Sequence, residues 1–327
     1  MIITRTPFRV SFCGGGTDLK SFYGSREGCV VSATINKYMY LSIHPFFDPQ
    51  KISLKYSQNE LVESVDEIKH RILRETLRQF NVKGVEITSV ADVPAGTGLG
   101  SSSAFTVGLI NALGAYSGQN ESKGDIARKA CDIEINRLGS PIGKQDQYAA
   151  AFGGLNFIRF LPDETVLVEP LKIADKTLRT LEGRLIAFYT GRTHNAESIL
   201  VEQNKNTGKI EKAKNLNRMA ELARELKRAL EMGELDRFGE TLHENWLLKK
   251  SLATSIADSR IDAIYETALR HGAKGGKLLG AGGGGFFLLY CEEDRQTELR
   301  ERLGLKEFPF RLENEGTTVV FRDIGSR

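Results

Sequence analysis

The first ~60 residues alternate β-rich runs with turns, which predicts strands at Ile2–Thr6, Val10–Cys13, Val30–Thr34, Tyr38–Pro45 and Ile52–Tyr56. The period then lengthens. Leu61, Val65, Ile68, Ile72, Leu73 and Leu77 recur at helical spacing, so a helix is expected over Glu60–Phe80. A strand at Val85–Val90 feeds a glycine-rich loop, Pro94–Ser103, followed by an apolar helix over Ala104–Tyr116 and a more amphipathic one over Lys123–Leu138. Asn156–Phe160 and Thr165–Glu169 read as a hairpin, and Leu185–Tyr189 as a buried strand. From Ala196 to about Leu252 the pattern is helical and charged, with breaks near Gly208 and Gly233. A helix at Arg260–His271, glycines from Gly272 to Gly285 and strands at Phe286–Cys291 and Thr317–Arg322 complete the pattern.

Strands mixed with helices, without regular βαβ alternation, give an α+β class. At 327 residues the chain is long enough for two domains, expected as 1–180 and 181–327. Charge sharpens this by exclusion. Lys+Arg number 45 against 42 Asp+Glu, a net +3, without the clustered basic excess of a nucleic-acid binder. No apolar run approaches the ~18 residues that span a bilayer, and no basic-then-apolar leader is visible, so a cytoplasmic protein without a membrane partner is expected. Cys13, Cys29, Cys131 and Cys291 have no metal-ligand spacing and read as small buried hydrophobes. His243-Glu244 begins like HExxH but lacks the second histidine.

Glycine is the compositional departure: 33 residues, or about 10%, against a usual ~7%. Many of them lie in three clusters. Pro94-Ala95-Gly96-Thr97-Gly98-Leu99-Gly100-Ser101-Ser102-Ser103 follows a strand and opens an apolar helix. Glycines let backbone approach a ligand, and a helix N-terminus presents N–H groups and a positive dipole end to an anion such as phosphate. A serine-capped helix after a flexible loop is the plain alternative, but capping needs one serine and not three. Walker A is absent, and the formal GxGxxG at Gly280–Gly285 precedes a strand, the reverse of a dinucleotide-binding turn. Arg9 stands on an apolar strand that runs into Gly14-Gly15-Gly16-Thr17-Asp18, where a carboxylate after a tight turn suits a polyol. The third cluster is Lys277-Leu-Leu-Gly280-Ala281-Gly282-Gly283-Gly284-Gly285, longer than a turn requires.

In order and type, these clusters resemble the three motifs of the GHMP small-molecule kinases, and the Pro-x-Gly-x-Gly-Leu-Gly-Ser-Ser core is specific. The resemblance runs from Pro7 to Gly285. It implies a ribosomal-S5-like N-terminal domain, a ferredoxin-like C-terminal domain and an active site between them. It also implies ATP and Mg²⁺ as cofactors, with Pro94, Gly96, Gly98, Leu99, Gly100, Ser101, Ser102 and Ser103 at the nucleotide. Gly143-Lys144-Gln145-Asp146-Gln147-Tyr148 resembles the family's catalytic segment, making Asp146 the base and Arg9 the cation that stabilises developing charge. By the same resemblance Gly15, Gly16, Thr17, Asp18, Gly282 and Gly283 contact the acceptor, while Ser102 and Glu134 hold Mg²⁺.

The Gly-Gly-Gly-Thr-Asp form, with Gly-Lys-Gln-Asp-Gln-Tyr and Tyr189-Thr190-Gly191, is similar to the D-glycero-D-manno-heptose 7-phosphate kinase group and the kinase half of fucose-salvage enzymes. The implied reaction is phosphorylation of an anomeric hydroxyl by a monomer or homodimer. L-Fucose is the alternative acceptor, and a silent sugar sensor on the same fold is the competing class. Where that group carries arginine after Thr190-Gly191, this chain has His194, with Arg192 displaced. Arg192, Lys144, Lys249 and Lys250 are the candidates for holding a sugar phosphate.

Overall fold

A computed structural model describes residues 1–193 and 196–323. Its first sheet is built on two long strands, β1 (Ile2–Cys13) and β2 (Gly28–Pro45), separated by the short helix α1 (Lys20–Tyr23). Each was expected as two strands. Instead they pair antiparallel along nearly their whole length, with register shifts at Pro7/Phe8 and Ser11/Cys13 that bend the ladder without ending it. β3 (Ile52–Lys55), β4 (Asn59–Val62) and β5 (Val85–Ala91) extend the sheet beyond one half of β2, in the order β2-β5-β3-β4.

The helix expected over Glu60–Phe80 is corrected here. Asn59–Val62 is β4, paired with β3, and only a 3₁₀ turn at Val65–Glu67 and the α-helix Arg71–Phe80 (α2) are helical. Ser64 and His70 each cap a new turn with a side chain that accepts a backbone N–H, which divides the segment.

α3 (Ser101–Tyr116) is apolar on nearly every face and is buried against β1 and β2. α4 (Lys123–Cys131) continues into a π-helical turn, Asp132–Arg137, where the Leu138 N–H reaches back five residues to the Ile133 carbonyl at 3.0 Å. α5 (Gln145–Phe152) and the hairpin β6 (Leu155–Phe160) and β7 (Val166–Pro170) follow, with β6 on the free edge of the first half of β2.

After α6 (Asp175–Arg184), β8 (Leu185–Tyr189) enters a second, four-stranded sheet. Helices α7 (Ala196–Asn206), α8 (Ile210–Met232), α9 (Asp236–Lys250) and α10 (Ser259–Arg270) come next. β9 (Ala273–Leu278), β10 (Phe286–Cys291), α11 (Gln296–Leu303) and β11 (Lys306–Glu307) complete the unit in the antiparallel order β11-β8-β10-β9. β10 is buried at all six positions, as a central strand must be. The architecture is α+β with two sheets, as expected.

The two units share their packing. Phe12 of β1 meets Phe238 of α9 edge-on at 5.2 Å, and the buried thiols of Cys13 and Cys29 lie against carbonyls of α8. β12 (Leu312–Glu313) and β13 (Thr318–Arg322) belong to the portion expected in the second domain, yet pair with β2 and β1 of the first sheet. All four cysteines are free and buried.

Candidate active site

The three glycine clusters converge on one cleft of about 240 Å³ between the units, a volume suited to small molecules. At one end the Pro94–Ser103 loop meets the start of α3. The N-cap is Gly100, left-handed and without a side chain to bond the first-turn N–H groups. The serine-cap reading therefore falls, and these N–H groups face the cleft where Ser101, Ser102 and Ser103 line it. The Ser102 hydroxyl donates to Glu134 Oε1 at 2.6 Å, and Gln147 Nε2 donates to Glu134 Oε2 at 2.7 Å. Burial pushes the Glu134 carboxyl above its usual range, since its close partners are neutral. Glu134 sits in the π-helical turn that follows α4 and is buried there beside Ile133.

At the centre lies Asp146, in the first turn of α5. Arg9 grips it with both ends of its fork: Nε donates to Oδ1 and Nη2 to Oδ2, each at 2.6 Å, while Nη1 reaches the Gly98 carbonyl at 2.6 Å. This bidentate geometry fixes the carboxylate at the junction of loop, strand and helix. The junction requires glycine at one contact in particular. Gly98 has φ +85°, and a Cβ there would lie 2.4 Å from the Leu279 carbonyl oxygen, while a Cβ on Gly280 would lie 2.4 Å from the Gly98 Cα. Loops from the two units touch backbone to backbone.

At the far end Asp18 is buried. Its Oδ1 accepts the Gly16 N–H at 2.8 Å and its Oδ2 the Gln145 N–H at 3.3 Å. Burial pushes its carboxyl above the ordinary range against those donors, and Asp146 adds to the effect. Gly15 and Gly16 line the cleft beside it.

Not every expected contact faces the cleft. The Thr17 hydroxyl is fully buried among the Gly14 carbonyl and the backbone of Cys29, at 2.8–3.0 Å, so it braces the turn. The Gly283 N–H is engaged by the Ile256 carbonyl at 2.8 Å, and Gly282 packs on the same residue. Gly280 and Ala281 line the cleft in their place. Pro94 is exposed, its carbonyl accepting the Thr97 hydroxyl, and Leu99 is buried, its carbonyl accepting the Arg9 N–H. Both shape the loop from outside the cleft.

Of the lysines and arginines considered for a sugar phosphate, only Lys249 reaches the cleft. Lys144 pairs with Glu164 and lies over the Tyr23 ring, Arg192 pairs with Asp258, and Lys250 pairs with Asp262. His194 lies outside the described residues. Lys277 was missed, although a lysine in an apolar strand ahead of a glycine turn repeats the placement of Arg9. Its ammonium donates to the Ser11 carbonyl at 2.6 Å, and burial pushes it down to about 8. Gln147, which holds Glu134, and Ser11 and Gln145, which line the cleft, were missed as well.

Residues fit for Mg²⁺ are present. Ser102 and Glu134 offer hard oxygens side by side, and the Glu134 carboxylate lacks a cationic partner among the described residues. Those residues contain no group of three or more His, Cys, Asp or Glu able to cage a metal, which suits an ion that keeps waters and substrate phosphates as ligands. No helix among them is long and apolar enough to cross a membrane.

Comparison with known proteins bears on this geometry. The family model for the GHMP kinases N terminal domain matches residues 59–154, and that for the GHMP kinases C terminal matches residues 214–309. A D-glycero-alpha-D-manno-heptose 7-phosphate kinase of Campylobacter jejuni is 31% identical over 92% of this chain and 93% of its own. A bifunctional fucokinase/GDP-fucose pyrophosphorylase of Arabidopsis thaliana is 29% identical over 91% of this chain, which spans 30% of that larger protein. The crystal structure of a D-glycero-D-manno-heptose 1-phosphate kinase from Bacteroides thetaiotaomicron superposes with a TM-score of 0.81 at 26% identity, covering both chains completely. Matched in both halves and related to a kinase along almost its full length, this chain belongs to the GHMP kinases and is an ATP-dependent phosphotransferase with an alcohol group as acceptor.

Proposed function

We propose that the chain is a sugar kinase that transfers the γ-phosphoryl group of ATP to the anomeric C1 hydroxyl of D-glycero-D-manno-heptose 7-phosphate. The observation that carries this reading is the position of the Arg9–Asp146 pair, midway between an anion-ready helix start and a buried carboxylate suited to hydroxyls. The relatives acting on heptose phosphates supply the choice of acceptor. L-Fucose, the acceptor implied by the fucokinase relative, is the alternative.

The nucleotide phosphates lie along Gly96–Ser103, where backbone N–H groups and serine hydroxyls take up negative charge. Mg²⁺, when bound to the phosphates, would be held by Ser102 and Glu134 and would supply charge neutralisation. Asp18 accepts from sugar hydroxyls and sets the ring so that C1–OH faces Asp146. Asp146 orients that hydroxyl and accepts its proton as the phosphoryl group moves across. Arg9 keeps Asp146 in place and faces the charge that develops on the transferred group. The nucleotide-binding unit is built on residues 1–180 and completed by β12 and β13, and the rest of 181–327 forms the opposite wall of the cleft. The active species is a monomer or homodimer that engages neither nucleic acid nor membrane.

A coupled ADP-release screen over heptose 7-phosphate, L-fucose, galactose, mannose and mevalonate tests the reading. Turnover on the heptose phosphate, with a product whose new phosphorus couples to the anomeric proton, is the expected result. Turnover on fucose without the heptose phosphate overturns the acceptor, and sugar binding with no turnover overturns the kinase assignment.

A further inference from the structure

Two buried ammonium groups have no part in the chemistry above. Lys249, from the end of α9, is 5% exposed, and Lys277, from β9, is 2% exposed. A lysine so deeply buried is costly unless an anion meets it. Yet among the described residues each donates only to a backbone carbonyl, Lys249 to Gly280 and Lys277 to Ser11. The contrast with their neighbours is sharp, because Arg9, Lys144 and Lys250 all meet carboxylates. Burial holds the Lys249 ammonium well below its ordinary range, and Lys277 and Arg9 push the same way against the weaker opposing pull of Asp18 and Asp146.

Their position within the cleft is also informative. Both ammoniums lie within electrostatic reach of Asp18, Asp146 and Arg9, and neither is among the main influences on Glu134 at the serine-loop end. Beside them, the Ser11 hydroxyl and the Gln145 Oε1 are buried without a hydrogen-bond partner, and both residues line the cleft. Asp18 and Asp146 act on both ammoniums only from a distance, since neither carboxylate forms an ion pair with Lys249 or Lys277 among the described residues. The vacant interactions are thus two ammoniums, a hydroxyl and an amide oxygen, running from the Gly98–Gly280 seam, where Lys249 is bonded, to Ser11 and Gln145, which flank Gly15 at the acceptor end.

We propose that Lys249 and Lys277, with Ser11 between them and Asp18, form an oxyanion subsite that binds a phosphate monoester carried by the acceptor sugar. This rests on the reading of the cleft as a sugar kinase site, and it adds which residues hold the phosphate that the proposed acceptor already carries. A phosphate dianion takes charge-assisted bonds from both ammoniums and a further one from the Ser11 hydroxyl, while the sugar hydroxyls fall to Asp18 and Gln145. Lysine suits this task because a point charge on a flexible stem tolerates a phosphate at the end of a rotatable chain.

The test uses pairs of aldoses with and without a terminal phosphate: heptose and heptose 7-phosphate, mannose and mannose 6-phosphate, galactose and galactose 6-phosphate. For each pair the ratio of kcat/KM, phosphorylated over free, is measured in wild type, Lys249→Met and Lys277→Met. The ratio is expected to favour the phosphate in wild type and to fall by about thirtyfold or more in each variant. An equal loss on both members of a pair overturns the proposal, because the lysines would then serve the phosphoryl group in transfer. A wild-type ratio near one, or preference for free sugars such as fucose, overturns it too and leaves the kinase assignment standing. Turnover of hexose phosphates without the heptose phosphate sinks the choice of heptose and leaves the subsite intact. Should a variant fail to fold, inorganic phosphate inhibiting the wild type competitively against the acceptor supports the subsite. Competition against ATP alone overturns it.

Discussion

On the proposed reading, the two ends of the cleft solve the same problem, holding anionic groups, by opposite means. The nucleotide end uses backbone N–H groups at the start of α3, three serine hydroxyls and one carboxylate braced by neutral partners. The acceptor end uses formal charges taken out of water: Asp18, Lys249 and Lys277. Neutral donors cost little to bury, and they suit a ligand that is the same in every turnover. Buried ions are expensive when left unmatched, so they penalise an acceptor that lacks the complementary groups. Discrimination accordingly belongs to the acceptor end and general phosphate handling to the other.

Removing the group between the ends should have the largest effect. Asp146→Asn keeps the shape and loses the proton acceptor, so kcat is expected to fall by about 10²–10⁴-fold with the KM for ATP little changed. A near-normal rate would assign the base elsewhere. At the nucleotide end, Glu134→Gln should weaken Mn²⁺ binding, read by electron paramagnetic resonance with nucleotide present, by about tenfold or more. Because burial already disfavours the Glu134 carboxylate, the same variant should match or exceed wild type in urea stability. A loss of stability would mean that the carboxylate serves the fold.

Gly98→Ala breaks the seam where the ends meet. Its Cβ would press on the Leu279 carbonyl at a φ of +85°, so a loss of about 2 kcal/mol in urea unfolding is expected. Ala at Gly118, which also has positive φ but open space around it, is the control that separates clash from backbone strain.

The smallest effect concerns pH. Lys277 titrates near 8 in the folded protein, below its unfolded value of ~10.4. Between those values the unfolded chain binds a proton that the folded chain has released, so Lys277 makes the free protein more stable as pH rises through this window. The same loss of charge weakens the hold on a phosphate. The KM for a phosphorylated acceptor is therefore expected to climb several-fold between about pH 7 and 9, where the phosphate itself stays dianionic. A KM flat across that range would contradict a charged Lys277 in acceptor binding.

Much of this site was legible in the sequence, because its chemistry sits on glycine turns and helix starts that announce themselves locally. Asp146, Arg9, Asp18, Ser102 and Glu134 all fall in one cleft. Lys277 was not legible, since a lysine in a strand ordinarily points to water, and only the packing of α9 on β9, with the Ser11 carbonyl of β1 to receive the ammonium, buries it. Thr17, Gly282 and Gly283 misled for the converse reason: motif membership does not distinguish a residue that touches a ligand from one that braces the turn.

For the fold, the split expected in β1 and β2 fails because the mutual pairing of the strands carries each through the intervening residues. β4 was hidden because its partner β3 is what makes it a strand. α5 went unread because Pro141 and Gly143 drew the segment toward a turn, although Ala149–Ala151 favour helix.

The return of β13 to the edge of β1 bears on the order of events during synthesis. β1 carries Arg9, and its outer edge is closed by residues 318–322, which leave the ribosome last among the described strands. The backbone of Met1 meets that of Asp323, so the start and finish of the described chain lie side by side. Until translation has passed residue 322, the first sheet has an unsatisfied edge open to pairing with another nascent chain. A polypeptide released shortly after β11 would keep every residue proposed for catalysis and still expose that edge, so premature termination here is an aggregation hazard more than a simple loss of activity.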